Sequence, residues 1–163
     1  MTLLLESAPS ESPAPTANEL APPIEPARHE CSVKPISPRG LADRDIRDSV
    51  RMLFHYQNTP SRITTDRRQN QRHPYPYPIE LTPMDGDVPL TEQTFAVLGK
   101  HLSEYGLDFY CDQPLPYRRV IAWFEPQKGR RIGLLLDLSW CRFNKFGWYE
   151  NGGRFLQVVR TAA

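Results

Sequence analysis

The chain has 163 residues, with 20 Lys or Arg against 19 Asp or Glu and a formal net charge of +1. This length is enough for one domain, or for one small domain with a tail. Residues 1–38 carry a net charge of −3, which leaves +4 for the rest of the chain. A charge of this size suits a small phosphate ligand and does not require the broad basic surface of a nucleic-acid-binding protein.

The cysteines and the apolar runs bear on the compartment. Three cysteines, Cys31, Cys111 and Cys141, form no CxxC spacing, a pattern typical of a reducing compartment. The opening MTLLLESAPS lacks the basic start of a signal peptide, and no apolar run approaches the length of a membrane span. We therefore expect a cytoplasmic protein that does not engage a membrane.

Residues 1–38 form the first distinct segment. They contain eight prolines, five glutamates and no aromatic residue, and the first Phe, Tyr or Trp of the chain is Phe54. A segment of this composition buries too little apolar surface to offset the entropy of ordering it. We therefore predict a disordered tail over residues 1–38.

Residues 39–60 carry the pattern of one amphipathic helix. Apolar side chains recur at helical spacing at Ile46, Val50, Leu53 and Phe54. Asp43 is the predicted N-cap, and Asn58 and Pro60 predict the end of the helix. We expect the helix to pack on the domain that follows it, and docking on a partner is the alternative.

Residues 61–163 are predicted to form a β domain. A polar, basic loop, in which His73 and Tyr75 each precede a proline, leads into six strand-like runs separated by turn residues. The runs are YPIELTPM, TFAVLGKHLS, GLDFYC, RRVIAWFE, IGLLLDLSWCRF and GWYENGGRFLQVV. Six short strands at this spacing favour an antiparallel barrel or sandwich over a βαβ fold. The NGG at residues 151–153 predicts a bulge or a tight bend.

Two short motifs lie in order along the β domain. The first is an RRxxxR cluster in the basic loop, formed by Arg67, Arg68 and Arg72. The second is an HxSxxG turn between two strand-like runs, formed by His101, Ser103 and Gly106. An RxxxR also occurs in the predicted helix and an SxxG in the tail, so the information lies in the order of the motifs and their placement at strand edges.

This combination resembles the PilZ domain family, in which RxxxR precedes the first strand of a six-stranded β-barrel and [D/N]xSxxG follows. The resemblance covers about residues 62–160, because GLDFYCDQPLPYRRVIAWF and WCRFNKFGWYENGGRFLQV are similar to the later strands of that family. It implies a six-stranded antiparallel PilZ-like β-barrel that acts as a receptor for cyclic di-GMP. It implies neither an enzyme nor a cofactor.

The resemblance also implies a role for each motif residue. Arg68 and Arg72 would fork onto phosphate or guanine and stack on the purine rings. Ser103 would offer its hydroxyl to the guanine edge, and Gly106 would permit close approach of the ligand. Arg67 would hold a second phosphate or a second ligand molecule. Binding would order the basic loop and change the surface that an unidentified protein partner meets.

One position departs from the family pattern. The family has Asp or Asn, which accepts hydrogen bonds from guanine N1 and N2, where this chain has His101. Neutral histidine offers a single acceptor nitrogen and cannot reproduce that paired acceptance. The departure leaves His101 with two interpretations, a weaker ligand contact or a purely structural residue.

Two other functions remain open from the sequence. The first is an adaptor of the same fold that has lost nucleotide binding and works through protein contacts. The second is a small barrel that binds single-stranded nucleic acid through its tyrosines, against which the charge of +4 argues. The His and Cys residues lack metal-ligand spacing and no nucleophile has a base and an orienting partner, so we predict neither a metal site nor catalytic residues.

Overall fold

The structure of the protein is a computed structural model, which describes residues 31–32, 39–57 and 71–161. In these ranges the chain forms one helix of more than a single turn, α1 (Arg39–Tyr56), and nine strands. The strands are β1 (Cys31–Ser32), β2 (His73–Pro74), β3 (Pro78–Asp85), β4 (Val88–Pro89), β5 (Phe95–Leu102), β6 (Gly106–Cys111), β7 (Arg119–Gln127), β8 (Arg130–Phe143) and β9 (Tyr149–Thr161). Not one helix in this part of the chain combines the length and the hydropathy of a membrane span.

The six long strands close into a ring. β3 pairs with β5, β5 with β6, β6 with β9, β9 with β8, β8 with β7 and β7 with β3, and every pair is antiparallel. The two-residue strands β1, β2 and β4 pair with β9, β5 and β3. The predicted mainly β fold with one preceding helix is therefore confirmed, and the six predicted runs are the six strands of the ring.

The main hydrophobic core fills the ring, and Met84, Ile121, Trp123, Leu135 and Val159 form a second, smaller cluster. Alternate side chains of each strand point inward, which is the geometry that period-2 hydrophobicity predicts. The largest fully buried side chains of the ring include Phe109, Phe124, Leu81 and Leu134. α1 adds Ile46, Val50 and Leu53 to the same core. The apolar stripe of α1 thus faces its own domain, as expected.

The predicted N-cap of α1 is wrong. The helix starts at Arg39, so Asp43 lies in its second turn. There the backbone carbonyl of Asp43 accepts a hydrogen bond from Nε of Arg47 at 3.3 Å. The predicted end residues Asn58 and Pro60 lie outside the described residues.

The predicted tail lies mostly outside the described residues, and the predicted bulge differs from the structure. Within the tail, Cys31–Ser32 pair with the end of β9. The NGG at 151–153 is continuous strand, and the register shift beside it falls on β8, between Leu138 and Trp140. A Cβ on Gly152 would overlap the Trp140 indole, so a glycine is required here for the indole to lie against β9.

Candidate functional site

A cleft opens where the Ser turn, defined as residues 103–106, joins β5 to β6. Its walls come from the segment before β2, the end of β5, the start of β6 and the middle of β8 and β9. The cleft holds about 330 Å³, near the lower end of the roughly 300–1,000 Å³ typical of ligand pockets. Four residues predicted from the motifs line it, namely Arg72, His101, Ser103 and Gly106. Arg67 and Arg68 lie outside the described residues.

Ser103 holds the Ser turn together. Its Oγ accepts hydrogen bonds from the backbone N–H groups of Tyr105 and Gly106, both at 3.2 Å. The backbone N–H of Ser103 also donates to the carbonyl of Gly106 at 2.9 Å. Because two donors already occupy the two lone pairs of the hydroxyl, Ser103 shapes the wall of the cleft. Its contact with a ligand stays a prediction.

Gly106 begins β6 and pairs with Arg154 of β9. A Cβ at this position would overlap the carbonyl oxygen of Gly153, which belongs to the facing strand. Both atoms are backbone, so neither can move aside without disturbing the ladder between the two strands. Close packing of the strands therefore explains the glycine, whether or not a ligand approaches it.

A buried carboxylate that the motifs did not predict, Asp108, lines the cleft. Asp108 accepts a hydrogen bond at Oδ2 from Nη1 of Arg72 at 2.8 Å, and Nδ1 of His101 lies 3.6 Å from the same oxygen. The side chain of Asp108 is 10% exposed, against 48% for Arg72. The three residues come from separate segments: Arg72 precedes β2, His101 is on β5 and Asp108 is on β6. They meet because β2 and β6 both pair with β5.

The sequence carries one signal for Asp108. It is the only charged residue in the apolar run GLDFYC, two positions after Gly106. Side chains at i and i+2 of a strand share a face, so Asp108 lies on the same face of β6 as Gly106. A lone carboxylate on an otherwise apolar strand next to a motif is a usable indicator of a site.

Trp140 supplies an aromatic wall that the motifs also did not predict. Its indole lies against Gly152 on β9, and the residue stays 38% exposed where it lines the cleft. Arg154, on the same strand as Gly152, lines the cleft as well. The sequence signal for this wall is weak, since it consists of a tryptophan on one strand and a glycine pair on the next.

A second buried carboxylate on the same sheet, Glu150, accepts hydrogen bonds from three side chains. Glu150 accepts hydrogen bonds from Lys100 at 2.9 Å, from Arg142 at 2.8 Å and from Asn144 at 3.4 Å. The Lys100 ammonium, followed by the Arg142 guanidinium, lowers the pKa of Glu150 to about 2. Glu150 is therefore a structural anion. Within the described ranges, no group of three or more His, Cys, Asp or Glu side chains is placed to hold a metal ion.

The lowered pKa of Glu150 predicts a defined pH dependence of stability. A carboxyl whose pKa is lower in the folded state stabilises the fold at pH values above its unfolded pKa, about 4.3. That contribution is lost as pH falls toward about 2. We expect Glu150→Gln to be less stable than the wild type at neutral pH and the gap to close between about pH 5 and pH 2. Urea denaturation across that range measures the gap.

A surface carboxylate provides the control for Glu150. Glu80 is exposed and pairs with Arg131 on another part of the ring, so Glu80→Gln should show little pH-dependent loss. A gap between the wild type and Glu150→Gln that stays constant from pH 5 to pH 2 would contradict the role assigned to this network.

The Ser turn also contacts the helix. Nε of Arg51 on α1 lies 3.1 Å from the carboxylate of Glu104, which is part of the turn. A second cleft of about 320 Å³ lies between α1 and the turn, and Tyr105 lines both clefts. The Ser turn and α1 are therefore in direct contact.

Comparisons with known proteins leave the family unassigned. No family model matches the chain, and no curated protein matches it. Among solved structures, it is similar to the inhibitor of motility MotI/DgrA of Bacillus subtilis, with 14% sequence identity and a TM-score of 0.44. That match covers 57% of this chain and 44% of the other, so this chain spans less than half the length of that protein.

Proposed function

We propose that this protein is a cytoplasmic receptor for cyclic di-GMP, a regulatory protein rather than an enzyme, and that the ligand binds in the cleft at the Ser turn. One observation carries the proposal: the half-exposed guanidinium of Arg72 and the exposed indole of Trp140 line the same cleft. A guanidinium forks onto phosphate oxygens, and an indole stacks on a purine. The resemblance of the two motifs to the PilZ domain family supports the same ligand.

Each residue of the cleft has a task in this proposal. Arg72 moves from its present partner to a phosphate of the ligand, because a doubly charged ligand attracts a guanidinium strongly. Ser103 and Gly106 keep the wall in shape. Arg67 and Arg68 approach from the preceding loop, as the motif implies. The turn then passes the change to α1 through the contact between Arg51 and Glu104, and so to a protein partner.

The fluorescence of Trp140 tests this placement. Stacking of a guanine on the indole should quench its emission, so titration with cyclic di-GMP should lower the tryptophan fluorescence of the wild type in a saturable way. Trp140→Phe should lose that change. Trp148→Phe should keep it, because Trp148 lies in the turn between β8 and β9 and does not line the cleft. Equal quenching in both variants would place the ligand elsewhere.

A second function, a protein-interaction adaptor without a nucleotide, is favoured by the turn between β8 and β9. Phe143, Phe146 and Trp148 are exposed there, Phe146 to 75%. The Asn144 side chain accepts hydrogen bonds from the backbone of Phe146 at 3.0 Å and of Trp148 at 3.1 Å. A fixed turn with apolar side chains suits a protein contact. The two functions separate by titration, because an adaptor alone binds no cyclic di-GMP.

A further inference from the structure

We propose that Asp108 reads the guanine base of the ligand, and that its ion pair with Arg72 is the closed, ligand-free state of the reader. Ligand binding would exchange partners: Arg72 would leave Asp108 for a phosphate, and the guanine edge would replace it on the carboxylate. This inference rests on the proposed function, since it assigns the base-recognition step of the same cleft.

Burial and partners single out Asp108 among the carboxylates. Across the described residues, Asp108 and Glu150 are the buried acidic side chains. Glu150 has three donors of its own, two of them cations. Among the described residues, Asp108 has one donor at hydrogen-bond distance, Arg72. A buried carboxylate is costly unless it is paired, so Asp108 needs a donor at all times, and the half-exposed Arg72 side chain is one that can be exchanged.

The guanine edge matches what Asp108 offers. Guanine presents N1–H and the 2-amino group side by side, two donors that fit the two oxygens of one carboxylate. Adenine has a lone pair at N1 and lacks the 2-amino group, so a carboxylate at this place rejects it. His101 has a single acceptor nitrogen, and its Nδ1 lies 3.6 Å from Oδ2 of Asp108, so it lines the cleft beside the carboxylate.

The acceptor for the guanine edge is therefore on β6 instead of β5. The position at which the family pattern places Asp or Asn holds His101, and the residue paired with it across the ladder is Asp108. A carboxylate on the neighbouring strand reaches the same cleft. The departure in the motif is in this way compatible with guanine recognition.

The preference for guanine over adenine tests the role of Asp108, because a purely structural residue would not change that preference. Isothermal titration with cyclic di-GMP and with cyclic di-AMP should show that the wild type prefers the guanine ligand by about 10–100-fold, the range that a bidentate base contact provides. Asp108→Ala should bring the two affinities to within about threefold of each other. Asp108→Asn keeps the shape with a single acceptor oxygen, so its preference should be intermediate. Glu80→Gln, which also removes a carboxylate from an arginine pair, should keep the full preference.

Each other outcome counts against the proposal. A wild type that binds both dinucleotides equally, or an Asp108→Ala variant that keeps the preference, overturns the assignment of Asp108 and leaves the receptor function standing. Equal tightening of both ligands in Asp108→Ala shows that the residue only restrains Arg72, which also overturns it. A wild type that binds neither ligand overturns the receptor function and this inference together. If Asp108→Ala does not fold, the wild-type ratio and Asp108→Asn decide.

Discussion

Replacing Arg72 by alanine should weaken the binding of cyclic di-GMP by about 10–100-fold. A charge-assisted hydrogen bond to a phosphate contributes about 1.5–3 kcal/mol, and each 1.4 kcal/mol is about a tenfold change in affinity. Arg72→Lys keeps the charge but loses the planar fork, so its affinity should lie between those of the wild type and Arg72→Ala. Calorimetric titration of the three proteins measures the series.

Arg131 provides the matched control for Arg72. It is also partly exposed and paired with a carboxylate, Glu80, and it does not line the cleft. Arg131→Ala should therefore bind the ligand as the wild type does. Arg72→Ala binding with unchanged affinity would remove Arg72 from the site, and an equal loss in both variants would point to a general charge effect.

Replacing Gly106 by alanine should lower the free energy of unfolding by about 3 kcal/mol. The added Cβ would meet the carbonyl oxygen of Gly153, and overpacking of this kind costs about 1–3 kcal/mol, or more where the neighbour is rigid. Both strands are held by the β6–β9 ladder, so the upper part of that range applies. Thermal and urea denaturation measure the loss directly.

Gly86→Ala separates close packing from backbone conformation. Gly86 has a φ of +58° in an open turn, with no atom within 4 Å of a Cβ. The cost there is only that of the left-handed backbone, about 1–2 kcal/mol. A Gly106→Ala variant that is as stable as the wild type but loses ligand affinity would show that Gly106 serves the ligand rather than the strand contact.

The strands of the ring were predictable because their signals are local. Alternation of apolar and polar residues, bounded by Gly, Pro and Asp, locates each run without knowledge of its partner. The order of the motifs likewise located Arg72, His101, Ser103 and Gly106, which the fold brings into one cleft. What each residue contacts there was not predictable. Ser103 and Gly106 have structural partners, which no motif reveals.

The contact between His101 and Asp108 depends on a shift in register. Gly99 pairs with Phe109, and a regular ladder would then set Lys100 against Asp108. The shift between Gly99 and His101 instead sets His101 against Asp108. Because a one-residue shift exchanges the two faces of a strand, this bulge decides whether His101 meets the carboxylate. The sequence contains no local signal for it.

The position of Trp140, which also lines the cleft, depends on a register shift as well. Its pairing with Gly152 depends on the register shift after Leu138 in β8. Local patterning predicts both strands but not the offset between them. For Asp108 and Trp140, two of the cleft residues that the motifs missed, the neighbour across the ladder is therefore set by a register shift.

Isothermal titration of cyclic di-GMP into the full chain tests the central claim most directly. We predict a saturable heat with a micromolar dissociation constant, and a marked loss of that heat at the same concentrations in Arg72→Ala. Circular dichroism on the same samples establishes that the protein is folded. A folded wild type that gives no heat at high micromolar ligand would contradict the assignment of this cleft to cyclic di-GMP.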